Sequence, residues 1–272
     1  MIDVLPDGRL LLDYGPVSML ITSSKNGIMQ STIGPKCHQV VENCLQDIHR
    51  DLPVLTQKSP AVDPRLLTPC GAAMLESIFC TDMADLTPMA AVAGTIADCV
   101  ADTFATDSDQ VIVNNGGDIA LRLAPGQNVT LDISAALSAA SPFQSCRIAA
   151  EDAIGGIATS GLGGRSFTKG IADSVTVFAD CCRTADAIAT YLANSTHIES
   201  PNVLSIRAEL LDPDSDIAGD LITFQVNDLS EAEIQTATDQ LLYRCQILSQ
   251  KQSFKMIACI QSHYICFPDV LT

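Results

Sequence analysis

Gly155-Gly156-Ile157-Ala158-Thr159-Ser160-Gly161-Leu162-Gly163-Gly164-Arg165-Ser166 interleaves glycines with hydroxyls and one arginine. Glycine reaches positive φ and lets a ligand approach the backbone closely. Hydroxyl and guanidinium donors among glycines suit phosphate oxygens. The stretch is therefore read as a loop that holds a phosphorylated ligand. It is not a Walker loop, because no Gly-Lys-Ser/Thr closes it. Nor does it show Gly-x-Gly-x-x-Gly between a strand and a helix, so a Rossmann dehydrogenase is disfavoured.

Working outward, Ser174-Val175-Thr176-Val177-Phe178-Ala179 reads as a buried strand and Thr184 to about Ala193 as a helix. Upstream, Val111-Ile112-Val113, the turn Asn114-Asn115-Gly116-Gly117 and Asp118 to Leu123 form a hairpin pattern. Val129 to Ile133 reads as a further strand. Nearer the start, Leu10–Tyr14 and Val17–Ile21 read as strands, with a turn at Lys25-Asn26-Gly27. A helix opens at Pro35 and runs to about Asp51, with Val40, Val41, Cys44, Leu45 and Ile48 on its apolar face. Leu52 to Pro69 reads as an extended linker or a lid. Pro88 opens an Ala-rich helix to about Ala105.

Toward the C-terminus, Val203–Ile206, Leu221–Val226 and Phe254–Cys259 read as strands. Leu229 to about Gln250 is the longest helix, with Ser230 as its N-cap. Strands and helices mix without regular βαβ alternation, which predicts an α+β fold. No linker-like composition isolates residues 196–272, so one domain over 1–272 is expected.

The chain has 272 residues, 47% of them hydrophobic and 17% charged, enough for a substantial core. Its net charge of -17 argues against a nucleic-acid backbone as partner. An acidic protein that holds phosphate needs backbone N–H groups, a local arginine or a divalent cation. No apolar run is long enough to span a bilayer. The first residues lack a basic start followed by an apolar stretch, so no secretory signal and a cytoplasmic location are expected. Eleven cysteines without a Cys-x-x-Cys pair read as reduced thiols acting as small buried hydrophobes. The histidines His38, His49, His197 and His263 show no metal-ligand spacing.

Asp186 and Thr190 lie four residues apart and share one helix face. A carboxylate and a hydroxyl are hard oxygen ligands of the kind Mg²⁺ takes. The same residues also fit a helix N-terminal charge and a self-bonded helical threonine. Likewise, the Asn-Gly-Gly turn alone is a hairpin signal as much as a ligand-facing turn.

The order of the segments is more specific than any one of them. Asn115-Gly116-Gly117-Asp118, then Ile157-Ala158-Thr159-Ser160-Gly161, then Ser174-Val175-Thr176-Val177, then Ala185-Asp186 with Ala189-Thr190 resembles the ApbE superfamily. Its characterised members are Mg²⁺-dependent enzymes that move FMN from FAD to a Ser or Thr of a target flavoprotein. The resemblance covers about residues 10–195, most strongly 111–193. It implies an ApbE-like fold of mixed sheets with packed helices. It also implies metal ligation by Asp186 and Thr190, a ligand-facing turn at Asn115, Gly116, Gly117 and Asp118, and a flavin-nucleotide loop at Ala158, Thr159, Ser160, Gly161 and Arg165.

Two departures stand beside the resemblance. The family's Ser-His-Ile-Ile-Asp-Pro segment and following loop correspond here to the short run Phe167 to Asp173, without a histidine. Its Ala-Lys-Gly-Tyr helix appears as Ala93-Gly94-Thr95-Ile96-Ala97-Asp98, without the lysine. Asp98, Asp102, Asp118 and Asp173 are left as acids that could replace them, and no catalytic residue is assigned. Three functions stay open: a Mg²⁺-dependent flavin-nucleotide enzyme with FAD as substrate, a non-catalytic nucleotide-binding module, and a self-associating structural partner.

Overall fold

The computed structural model describes residues 1–79, 83, 85–133, 144–164 and 166–268. The chain opens with β1 (Ile2–Val4), β2 (Leu10–Tyr14), β3 (Val17–Lys25) and β4 (Ile28–Met29). The helices α1 (Gly34–Leu55), α2 (Pro69–Phe79) and α3 (Val92–Phe104) follow. Then come β5 (Gln110–Asn115), β6 (Asp118–Leu123), β7 (Asn128–Ile133), β8 (Gln144–Ala149), β9 (Gly156–Ser160) and β10 (Ser174–Ala179). The remainder is α4 (Cys182–Asn194), β11 (Val203–Arg207), β12 (Leu221–Val226), α5 (Glu231–Ser249), β13 (Phe254–Ile260) and β14 (His263–Phe267).

The fold is α+β. Its main sheet runs β1-β2-β3-β5-β6-β9-β10-β13-β14, with β4 attached to β3. Every pairing in it is antiparallel. The helices cover one face. There Val111, Val113, Ala158, Val175, Val177 and Ala258 join Val41, Met74, Ile96, Val100 and Ile188 in one buried cluster. The other face carries a smaller cluster of Leu121, Ile157, Phe178 and Ile257, covered by Ile148 and Val129 of the β7–β8 ribbon. Burial on both faces explains why β10 is an uninterrupted buried run rather than an alternating one.

Several expected elements differ in extent. The segment Gly155–Ser166 is not all loop: Gly156–Ser160 is strand β9, paired with β10 from Ala179↔Gly156 to Val175↔Ser160. Small residues are needed there for approach rather than flexibility, since a Cβ on Gly156 would lie 2.1 Å from Cys182 N. Helix α1 continues through Pro53 to Leu55. The linker reading of 52–69 ends at α2, whose sequence is apolar around most of its circumference and so shows little amphipathic period. Strands β1, β4, β8 and β14 lie outside the strands expected from the sequence. Ser230 does cap α5, within a reciprocal capping box with Glu233. Residues 254–267 complete the main sheet as β13 and β14.

Candidate functional site

The β5–β6 hairpin closes on a two-residue turn. Asn115 pairs with Asp118, and both Gly116 (φ 69) and Gly117 (φ 116) are left-handed. Only glycine takes both positions without strain. The turn does not offer the Gly117 N–H to a ligand, because Asn114 Oδ1 accepts it at 2.9 Å. Asn115, buried, donates through Nδ2 to Ala93 O at 3.1 Å and so ties the turn to α3.

The second glycine segment is also internally bonded. Leu162 N donates to Ala172 O, Gly163 N to Asp173 O and Gly164 N to Gly161 O, at 2.9–3.0 Å. Gly161 has φ 129, and a Cβ there would meet Ala172 O and Asp173 O at 2.8 Å. The N–H groups of Gly117, Leu162, Gly163 and Gly164 are thus taken up within the turns themselves. Ala158 is fully buried against the helices, in register with Val177. Thr159 lies on the opposite face of β9 and shares a hydrogen bond with Thr176 at 2.9 Å. Ser160 Oγ is buried without a hydrogen-bond partner. Arg165 lies outside the described residues.

Two cavities adjoin at Ser166 and Phe167, which line both. The first, about 390 Å³, is bounded by Gly161, Gly164, Asp173, Thr223 and Gln261. Thr223, one of its walls, has a buried Oγ1 without a hydrogen-bond partner. Asp173 Oδ2 accepts Gln261 N at 2.7 Å, and burial raises the Asp173 carboxyl above its ordinary range.

The second cavity, about 420 Å³, takes Asp118 from the start of β6 and Asp186 and Thr190 from α4. The structure therefore unites the hairpin residue with the two helix residues. Asp85, Asp212, Asp214 and Asp216 also line it. Among its described lining residues Lys169 alone is basic, and Lys169 Nζ is bonded to Asp220 Oδ2 at 2.5 Å. Asp186 Oδ2 accepts the Gly94 N–H at 2.9 Å. Burial, reinforced by the Asp118 carboxylate, holds the Asp186 carboxyl well above the usual range. Like charges forced together in this way are relieved by a cation. Two carboxylates and a hydroxyl fit a hard divalent ion such as Mg²⁺.

The short run from Phe167 to Asp173 positions the wall between the cavities. Asn194 Oδ1 accepts Lys169 N at 2.8 Å, and Thr196 Oγ1 accepts Ile171 N and Ala172 N at 2.9 and 3.1 Å. Of the acids named as replacements, Asp98 is not available. It is 1% exposed and is held by Arg122 Nη2 (2.9 Å), Arg183 Nη1 (3.3 Å) and the N–H groups of Cys182 and Arg183 that open α4. Asp102 pairs with Arg122 Nε at 2.6 Å. Asp118 and Asp173 each line a cavity. Sequence reasoning missed Asp85, Asp212, Asp214 and Asp216, which sit in irregular segments without a motif.

The fold is an antiparallel sheet backed by helices, with Asp118, Asp186 and Thr190 lining one cavity. The family model described as AbpE bacteria matches residues 2–265, and the chain belongs to that family. A UPF0280 protein of Methanopyrus kandleri is 39% identical over 137 residues, 50% of this chain and 53% of its own. One from Methanothermobacter thermautotrophicus is 39% identical over 115 residues, covering 42% and 44%. One from Methanococcus maripaludis strain C6 is 31% identical over 184 residues, covering 64% and 73%. The matched stretch thus spans about half the length of the first two relatives. Among solved structures, the flavin transferase ApbE from Vibrio cholerae aligns with a TM-score of 0.48 at 13% identity, covering 98% of this chain and 97% of that one. The flavinyl transferase ApbE of Pseudomonas stutzeri in its apo form aligns with a TM-score of 0.49 at 10% identity, covering 98% and 94%. Among the described residues, no helix is long and apolar enough to cross a membrane.

Proposed function

We propose that this chain binds FAD together with Mg²⁺ across the two adjoining cavities and transfers FMN to a Ser or Thr hydroxyl of a target flavoprotein. One observation carries the reading: Asp118, Asp186 and Thr190 converge on a cavity whose other charged walls are almost all acidic. A pyrophosphate entering that cavity alone would be repelled, and the four turn N–H groups are already bonded within the protein. A divalent ion on Asp118, Asp186 and Thr190 reconciles the acidic wall with a phosphate ligand. When bound, it would neutralise pyrophosphate oxygens and stabilise charge on the leaving group.

The adjoining cavity, bounded by Gly161, Asp173 and Gln261, has room for the rest of the nucleotide. In the transfer, the acceptor oxygen bonds to the FMN phosphorus and the bond from that phosphorus to the AMP oxygen breaks. AMP leaves with the electron pair, and the hydroxyl proton passes to a cavity carboxylate.

A second reading is a binding module that performs no transfer. It is favoured by the run Phe167–Asp173, which holds no histidine and is anchored by Asn194 and Thr196. One experiment separates the two. Incubation with FAD, Mg²⁺ and a Ser/Thr target peptide releases AMP under the first reading. Mg²⁺-dependent FAD binding without AMP supports the second, and no FAD binding at all overturns both.

A further inference from the structure

Eleven cysteines lie scattered along the chain without a metal-binding spacing, yet folding gathers three of them. Cys44 lies on α1, Cys70 in the first turn of α2 and Cys99 at the middle of α3. Their sulfurs are all within 4.8 Å of one another, and Cys70 Sγ and Cys99 Sγ are 4.0 Å apart. Cys44 and Cys70 are buried and Cys99 is half-buried, which leaves one side for entry.

A rigid frame sets this convergence. Asp51, two turns beyond Cys44 on the same buried face of α1, accepts Thr68 N and Thr68 Oγ1 through Oδ2 at 2.7 and 2.6 Å. Thr68 Oγ1 in turn accepts Gly71 N at 3.2 Å. A Cβ on Gly71 would fall 2.2 Å from Asp51 Oδ2, so only glycine lets α2 start this close to α1. These bonds hold Cys70 against Cys44 independently of any contact between the thiols.

We propose that Cys44, Cys70 and Cys99 form a trigonal thiolate site for a thiophilic monovalent d¹⁰ cation of the Cu(I) type. A metal–sulfur distance near 2.3 Å places three planar ligands about 4.0 Å apart, the separation already present between Cys70 and Cys99. Soft thiolates select soft ions. Among the described residues, no histidine, cysteine or carboxylate joins the three to complete a tetrahedron. That favours an ion content with three ligands over Zn²⁺, which takes four. Arg183 and Arg122 lie close enough to Cys99 to act on it electrostatically, offsetting part of the thiolate charge. Binding replaces the thiol protons with the metal, so protons leave as the ion enters. The site uses none of the residues assigned to the nucleotide.

The test titrates the full chain, reduced and free of oxygen, with Cu(I) against a chromogenic chelator. One tight equivalent per chain is expected, with X-ray absorption on the wild type showing three sulfur neighbours. Bound Cu(I) should protect Cys44, Cys70 and Cys99 from alkylation, read by mass spectrometry. Cys44→Ser, Cys70→Ser and Cys99→Ser should each weaken binding by about tenfold or more, while Cys37→Ser and Cys245→Ser leave it unchanged. The absorption and alkylation measurements need no variant to fold. A two-sulfur or four-ligand shell, protection of other cysteines, or equal loss in Cys37→Ser would overturn the site.

Discussion

The backbone N–H of Gly94 donates to Asp186 Oδ2 at 2.9 Å, joining the first turn of α3 to the cavity-lining face of α4. The contact exists because the helices cross closely at Gly94, where a Cβ would sit 2.5 Å from Cys182 O and 2.8 Å from Arg183 Cα. Both neighbours are backbone atoms and cannot rotate away. Gly94→Ala is therefore expected to destabilise the chain by about 1–3 kcal/mol, read as a lower urea midpoint with an unchanged slope. A midpoint within error of wild type would mean that α3 and α4 can separate freely.

Asp186 and Asp118 repel each other across the cavity. Asp186→Asn keeps an oxygen for the Gly94 N–H and removes the charge. Without metal, it should melt at or above the wild-type temperature. With FAD present, the rise in melting temperature on adding Mg²⁺ should disappear, since losing a carboxylate ligand weakens the ion by about tenfold or more. Asp118→Asn should behave alike. A Mg²⁺-dependent rise that persists in both variants would remove the metal from these residues.

Asp98 serves the fold rather than a ligand. It neutralises Arg122 and Arg183 and accepts the two N–H groups that open α4. Burial raises its carboxyl against the pull of the Arg183 N–H and of Arg122. Asp98→Ala leaves those partners unmatched and should cost about 3–5 kcal/mol, measured by chemical denaturation. Asp98→Asn, which still caps α4, should cost less. Equal stability of Asp98→Ala and wild type would show that water replaces the carboxylate.

Asp220 bonds both Lys58 and Lys169, at 2.6 and 2.5 Å, and so ties the segment after α1 to the wall of the acidic cavity. Burial pushes its carboxyl up, but the two lysines outweigh burial and hold it below the ordinary value. A depressed carboxylate contributes stability above its unfolded pKa, about 3.9, and loses it as pH falls through the folded value. Asp220→Asn should be less stable at neutral pH and show a shallower acid limb. Melting curves between about pH 6 and pH 2 check this, and parallel curves for the two proteins would refute the tie.

Much of the local structure was legible in the residues. The Asn-Gly-Gly turn, the Ser230 N-cap and the apolar face of α1 depend on neighbours in the chain, and each formed as its spacing implied. Helix α2 was not legible, because a segment buried on most sides has no polar face to mark its period. Strand β9 was hidden by Gly155, just before it, and Gly156, its first residue, which serve close packing against Asp180 O and Cys182 N rather than a flexible loop.

The sequence by itself determined the family, the order of its motifs and the spacing that puts Asp186 and Thr190 on one face of α4. Only the tertiary structure decided that Asp118 joins that pair, that the glycine-turn N–H groups are bonded inward, and that Cys44, Cys70 and Cys99 meet. Periodicity and capping are fixed within a few residues of chain. Convergence depends on sheet register and helix crossings, which are set by packing between segments far apart in sequence.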